Sequence, residues 1–119
     1  MTVLIVEDEK PLARALELNL NEAGFSTKVV FNGSDAVDLL LQETFELILC
    51  DLIMPKMDGY TVLAIIKERK IKSPIIILSN LSQKDDEKYA KDFGAIDFFI
   101  KANTPIGTVV ERVKELLEK

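Results

Sequence analysis

The chain alternates five short apolar runs with five longer stretches of helical spacing. The apolar runs are rich in β-branched residues and fall at 2–6, 25–31, 47–50, 75–78 and 96–100. Apolar residues recur every three or four positions in 11–22, 35–43, 60–69, 83–93 and 105–118. Strands that are apolar throughout are typical of parallel sheets covered by helices on both faces. The alternation therefore predicts an α/β fold, with five parallel strands and five helices in a doubly wound arrangement.

Proline and glycine mark the limits of several predicted helices. Pro11 and Pro105 suit first-turn positions, where a missing backbone N–H costs nothing. Gly24 and Gly94 suit positions just past helix ends. We find no linker, internal repeat or low-complexity tract, and 119 residues lie within the usual size range of one domain. We therefore expect residues 1–119 to form a single domain.

Composition excludes several classes of function. The 15 basic and 20 acidic residues give a net charge of −5, which argues against direct binding of nucleic acid. The chain has no histidine, so it cannot use histidine as a general acid or base or donate a phosphoryl group from one. The lone Cys50 cannot form an internal disulfide, which favours the reducing cytoplasm, and its strand position predicts a small core residue. No apolar run is long enough to cross a membrane.

Polar side chains follow four of the five predicted strands. In chain order they are Glu7, Asp8 and Glu9 after the first strand, Asp51 after the third, Ser79 after the fourth and Lys101 after the fifth. Open parallel sheets bind ligands beyond the carboxyl ends of their strands. Each residue taken alone has a simpler interpretation, as a loop acid, a turn hydroxyl or a surface lysine. Together they predict one polar site at this edge of the sheet.

The chemistry of these side chains suits phosphoryl transfer. Two carboxylates about 4 Å apart repel by roughly 4 kcal/mol at an effective dielectric constant of 20, so Glu7, Asp8 and Asp51 in one pocket require a cation. A set of oxygen ligands with open positions suits Mg²⁺. Lys101 and Ser79 can hold the oxygens of a phosphoryl group on Asp51. The residues thus predict Asp51 as a phosphoryl acceptor.

Four segments give the chain a resemblance to a known family. The segments VLIVEDE, DLIMPKMDG, PIIILSN and GAIDFFIK resemble the receiver domain of bacterial two-component response regulators, in order and in spacing. The resemblance implies a flavodoxin-like sheet with strand order 2-1-3-4-5. It also implies a phosphorylation-dependent signalling switch rather than an enzyme that turns over a substrate.

The resemblance assigns roles to the predicted site residues. Asp51 would accept the phosphoryl group of a sensor histidine kinase or phosphotransfer protein. Mg²⁺ would be bound by Asp8 directly, by Glu7 through water, by Asp51, and by the backbone carbonyl of Ile53. Lys101 would contact the phosphoryl oxygens.

The resemblance also implies a switch and an output surface. Ser79 would contact the phosphoryl group and Phe98 would rotate inward on activation. The fourth helix, fifth strand and fifth helix would then bind a downstream effector or a second copy of the chain on phosphorylation. The charged residues expected on that face are Lys88, Lys91, Asp97, Glu111 and Arg112.

Several positions depart from the family pattern. The acidic pair is Glu7-Asp8, where two aspartates are commoner. Lys101 is followed by Ala102, where the family has a cis proline, so either the bond is trans and the lysine is aimed differently, or local contacts hold a cis bond that costs about 2.5–4 kcal/mol. Asn80 replaces a small residue and is expected to narrow access to Asp51. Apolar Ile53 and Leu81 would flank the hydrolytic water, which predicts slow self-dephosphorylation.

Three alternative functions differ in what they require. A degenerate receiver would act as an interaction module without phosphorylation, which the loop at Ala102 and the side chain of Asn80 favour slightly. An aspartyl-phosphate hydrolase of the haloacid dehalogenase type needs a second acid two residues after its nucleophile, and Ile53 stands there. A flavodoxin-like FMN carrier needs a phosphate-binding loop, which EDEKPLAR cannot form because it lacks glycine and hydroxyl residues.

Overall fold

The computed structural model describes residues 1–54, 56–80 and 84–118, without the side chain of Lys84. The strands are β1 (Thr2–Val6), β2 (Ser26–Val30), β3 (Leu47–Cys50), β4 (Ile75–Ser79) and β5 (Ala95–Ile100). The helices are α1 (Lys10–Glu22), α2 (Gly33–Gln42), α3 (Gly59–Glu68), α4 (Lys84–Asp92) and α5 (Ile106–Leu117). A single turn of 3-10 helix, Lys101–Asn103, joins β5 to α5.

The strands form one parallel sheet in the order β2-β1-β3-β4-β5. This confirms the predicted doubly wound fold and its strand order. In the register of the sheet Val6 lies beside Cys50, and Cys50 lies beside Ile77. The carboxyl ends of β1 and β3 are therefore level, and β4 runs two residues further to Ser79. The residues at these strand ends meet at one edge of the sheet.

The limits of the elements differ from the prediction by one or two residues. Strand β2 is one residue shorter at each end than the predicted 25–31, and β4 extends one residue beyond the prediction, to Ser79. Helix α2 begins two residues early because the side chain of Asn32 accepts a hydrogen bond of 2.8 Å from the N–H of Asp35. Pro105 caps α5 from outside rather than lying in its first turn, so that assignment was wrong, whereas Pro11 lies in the first turn of α1. Residue 83, the predicted start of the fourth helix, lies outside the described residues.

Two hydrophobic cores lie on opposite faces of the sheet. Leu4, Val6 and Cys50 pack under α2, α3 and α4, whereas Val3 and Ile5 pack under α1 and α5. Successive strand residues point to opposite faces, so both cores draw on the same strands. Cys50 is 1% exposed, which confirms its predicted place in the core. In the part of the chain that the structure describes, no helix is both long enough and apolar enough to span a membrane.

Candidate functional site

A pocket of about 200 Å³ opens at the carboxyl edge of the sheet. Its walls come from the segments that follow β1, β3, β4 and β5, as the sequence predicts. The lining residues are Asp8, Glu9, Asp51, Ile53, Ser79, Asn80 and Lys101. A cavity of this size has room for several water-sized groups.

Asp51 lies at the base of this pocket because β3 ends there. Its backbone N–H still donates to the carbonyl of Val6 at 3.0 Å, so the residue is fixed to the sheet. Its Oδ1 accepts a hydrogen bond of 3.3 Å from the N–H of Ile53, and the residue is only 4% exposed. The sheet and the following loop thus hold a carboxylate in a defined position.

The pair Asp58-Gly59 follows this loop, and the structure shows why position 59 is glycine. A Cβ at Gly59 would lie 2.1 Å from the carbonyl oxygen of Asp51, so only glycine fits. The N–H of Gly59 donates to the carbonyl of Leu52 at 2.8 Å. The side chain of Asp58 caps α3 by accepting from the N–H of Thr61 at 2.9 Å. The segment after Asp51 therefore folds back so that α3 starts against the backbone of Asp51.

Lys101 connects the acidic side chains of the pocket. Its Nζ lies 2.7 Å from Oδ2 of Asp51, 2.8 Å from Oε1 of Glu7 and 3.4 Å from Oε1 of Glu9. The side chains of Lys101, Asp51 and Glu7 are 8%, 5% and 3% exposed. Buried charges of this kind are stable only when they are paired. The ammonium group is thus the internal counter-ion of the acids.

Burial and pairing shift the protonation of the pocket. Burial raises the pKa of Glu7 to about 7, although the hydrogen bonds from Lys101 and the N–H of Glu9 lower it in part. Burial alone would lower the pKa of Lys101, but its hydrogen bonds to Asp51 and Glu7 outweigh that effect and raise it. Lys101 therefore stays charged at neutral pH, whereas Glu7 titrates there.

Three acids of the pocket are arranged as metal ligands. Carboxylate oxygens of Glu7, Asp8 and Asp51 all lie within 4.8 Å of one another. All the donors are hard oxygens, and one side of the cluster faces the open pocket. This donor set fits Mg²⁺, which prefers oxygen ligands and keeps several of its waters.

The structure also places the two predicted switch residues. Ser79 ends β4, is 1% exposed and lines the pocket. Phe98 lies on β5 beside Ile77, where it is partly buried against the core under α3 and α4. The side chain of Ile53 is 58% exposed at the pocket, and Leu81 lies outside the described residues.

The loop after β5 resolves the question raised by Ala102. Of the two alternatives, the bond between Lys101 and Ala102 is trans, and the lysine nevertheless reaches Asp51. Sequence reasoning also gave no role to Glu9, which approaches Lys101, and treated Asn80 only as an obstruction. The side chain of Asn80 instead accepts a hydrogen bond of 3.0 Å from the N–H of Ala102.

Some charges on the predicted output face are paired within the chain. Arg112 of α5 donates to Asp97 of β5, and Lys91 lies 3.7 Å from Glu87 on α4. On the neighbouring helix, the hydroxyl of Tyr60 donates to Asp86 of α4. Tyr89 packs edge-on against Tyr60 and stacks on Phe93. Side chains of α3 thus hold α4 in place.

A parallel 2-1-3-4-5 sheet with clustered acids and a lysine at its carboxyl edge has the architecture of receiver domains. The family model of the response regulator receiver domain matches residues 3–114, and the chain belongs to this family of two-component systems.

Similar proteins agree with this assignment. The transcriptional regulatory protein DltR of Streptococcus agalactiae is 37% identical over 101 residues, which cover 85% of this chain and 45% of DltR. The chain thus spans less than half the length of this relative. The receiver domain of a Francisella response regulator is 30% identical with a TM-score of 0.92, covering 98% of this chain and 96% of that one. The receiver domain of a Syntrophus aciditrophicus signal transduction histidine kinase is 36% identical with a TM-score of 0.84, covering 98% and 89%.

Proposed function

We propose that residues 1–119 form one receiver domain that is switched by phosphorylation of Asp51. The observation that carries the proposal is the contact of 2.7 Å between Nζ of Lys101 and Oδ2 of Asp51, beside a cluster of acids. A buried carboxylate with a fixed ammonium and an open face suits nucleophilic attack on phosphorus.

The positions of the side chains support a direct transfer of the phosphoryl group to Asp51. A lone pair of the Asp51 carboxylate forms the new O–P bond while the P–N bond to the histidine of a kinase or phosphotransfer protein breaks. The imidazole keeps the electrons of that bond and takes a proton from solvent. Lys101 offsets negative charge on the transferring group, and Ser79 at the pocket wall offers a hydroxyl to the same oxygens.

Glu7, Asp8 and Asp51 would hold Mg²⁺, together with the carbonyl of Ile53. When bound there, the ion would supply positive charge to offset that of the phosphoryl oxygens. The family and the oxygen donors support this assignment. Asp8 would bind the ion directly and Glu7 through water.

The proposed partners follow from the same switch. A sensor histidine kinase or phosphotransfer protein would supply the phosphoryl group, and the face of α4, β5 and α5 would bind the effector or a second copy. Inward rotation of Phe98 would change that face. DltR is named as a transcriptional regulator, which is consistent with a separate segment of such proteins binding DNA while the receiver does not.

Intact-mass spectrometry tests the proposal. The wild type and the variants Asp51→Asn and Asp38→Asn are incubated with acetyl phosphate and Mg²⁺. Asp38 is an exposed acid on α2 and serves as the control. We expect one added phosphoryl group on the wild type and the control and none on Asp51→Asn. An unmodified wild type that also fails to bind Mg²⁺ would instead identify a degenerate receiver that acts by interaction alone.

A further inference from the structure

The side chain of Asn80 joins the two loops that carry Ser79 and Lys101. Its Oδ1 accepts a hydrogen bond of 3.0 Å from the backbone N–H of Ala102. The two residues are 22 positions apart and follow β4 and β5, which are neighbours in the sheet. The bond spans the rim of the pocket, because Asn80 itself is one of the lining residues.

The donor in this bond depends on the residue after Lys101. A proline at position 102 would have no N–H, whereas alanine provides one. Ala102 lies in the 3-10 turn Lys101–Asn103, which is closed by a long hydrogen bond of 3.5 Å from the N–H of Thr104 to the carbonyl of Lys101. A turn held internally by so weak a bond needs an external contact to fix its orientation. Asn80 provides that contact.

The orientation of this turn matters because Lys101 begins it. The Nζ of Lys101 lies at the end of a long side chain, 2.7 Å from Asp51 and 2.8 Å from Glu7, so its position depends on where the turn holds the backbone of Lys101. A lysine that is free to move loses these contacts and its alignment with a transferring phosphoryl group. Small misplacements of a group at a reacting centre lower the reaction rate strongly.

We propose that Asn80 is a positioning residue, which fixes the turn at Ala102 and so holds Lys101 on Asp51. This inference rests on the proposed phosphorylation of Asp51. Among the described residues, the side chain of Asn80 hydrogen-bonds to Ala102 and not to Asp51. Its effect therefore falls on the rate of phosphoryl transfer at saturating donor, rather than on the binding of Mg²⁺.

The hydrogen bond can be tested without any phosphorylation. Amide hydrogen exchange at Ala102 is measured by NMR in the wild type, Asn80→Leu, Asn80→Asp and Asn103→Ala. Leucine keeps the bulk without an acceptor, and aspartate keeps the acceptor. Asn103 is an exposed neighbour whose side chain has no hydrogen bond among the described residues. We expect about two- to tenfold faster exchange in Asn80→Leu only, the range of one net hydrogen bond.

The role in catalysis is tested by the initial rate of phosphorylation against acetyl phosphate concentration. We expect the maximal rate of Asn80→Leu to fall by about two- to tenfold, while the half-saturating donor concentration and the Mg²⁺ affinity change little. Asn103→Ala should match the wild type. Equal maximal rates, or equal exchange at Ala102, would overturn the inference. A wild type that accepts no phosphoryl group would instead refute the proposed function and leave the exchange result standing.

Discussion

The ammonium group of Lys101 lies 2.7 Å from the carboxylate of Asp51, although β4 separates the strands that precede them. Lys101 therefore reaches across one whole strand to the acid that we propose as the acceptor. The same Nζ lies 2.8 Å from Glu7, beyond β3. Strands β1, β3 and β5 are thus linked by charge at their carboxyl ends as well as by the hydrogen bonds of the sheet.

Removal of this lysine should destabilise the fold. In Lys101→Met, the buried carboxylates of Glu7 and Asp51 lose their counter-ion, and we expect the free energy of unfolding to fall by about 3 kcal/mol. Urea denaturation measures the change. The control is Lys114→Met, whose ion pair with Glu111 is long and exposed, and which should change stability by less than about 0.5 kcal/mol. Equal effects of the two variants would contradict the assignment.

The raised pKa of Glu7 predicts how stability depends on pH. Its carboxyl group titrates at 4.5 when the chain is unfolded and at about 7 in the fold. Between these values the folded state binds more protons, so stability should fall as pH rises from 4.5 to about 7. Chemical denaturation across this range measures the slope, which Glu7→Gln should reduce. A slope that Glu7→Gln leaves unchanged would assign the titration to another group.

Magnesium binding should release a proton from the same carboxyl group. Because the ion favours ionised Glu7, the apparent affinity for Mg²⁺ should increase as pH rises toward 7. Titration calorimetry in two buffers of different ionisation enthalpy counts the protons released. Glu7→Gln should release no proton on binding Mg²⁺. Glu22 is an exposed acid at the end of α1, and the control Glu22→Gln should release as many protons as the wild type. Binding without proton release in the wild type would argue against Glu7 as a ligand.

Glycine at position 59 should be essential both to the stability of the fold and to the position of Asp51, the proposed acceptor. In Gly59→Ala the new Cβ meets the carbonyl oxygen of Asp51 at 2.1 Å, so the backbone has to shift at a cost of about 1–3 kcal/mol. Gly107→Ala is the matched control, because a Cβ there meets nothing within 4 Å. We expect thermal denaturation to show a loss of stability at position 59 only. Phosphorylation of Asp51 should also be slower in Gly59→Ala, because the shift of the backbone displaces Asp51.

The exposed side chain of Ile53 predicts a long-lived phosphoryl group. An apolar side chain at the pocket cannot orient a hydrolytic water, so we expect a half-life of minutes or longer at room temperature. Ile53→Asn supplies a polar group and should shorten it. Decay of the adduct is followed by intact mass after removal of the donor. A half-life of seconds in the wild type would refute the prediction.

The sequence predicted the fold well because its periodicity is strong. The alternation predicted five parallel strands whose carboxyl ends share one edge, whereas the strand order was implied by the family resemblance. Element ends were less predictable, since the start of α2 depends on a cap from Asn32. The contact between Asn80 and Ala102 could not be predicted, because it depends on the distance between two loops. The pair Asp58-Gly59 begins α3, but the close approach of Gly59 to the carbonyl of Asp51 depends on the folded loop and could not be predicted either.

The acids of the pocket would also set an order of events. Glu7, Asp8, Glu9 and Asp51 with one ammonium carry a formal charge of −3 when all four acids are ionised. A phosphoryl donor is itself an anion, and this field repels it. A bound divalent cation reduces the charge to −1 and removes most of that barrier. Magnesium would then have to bind before the phosphoryl donor, and the concentration of free magnesium would limit when the domain can receive a signal.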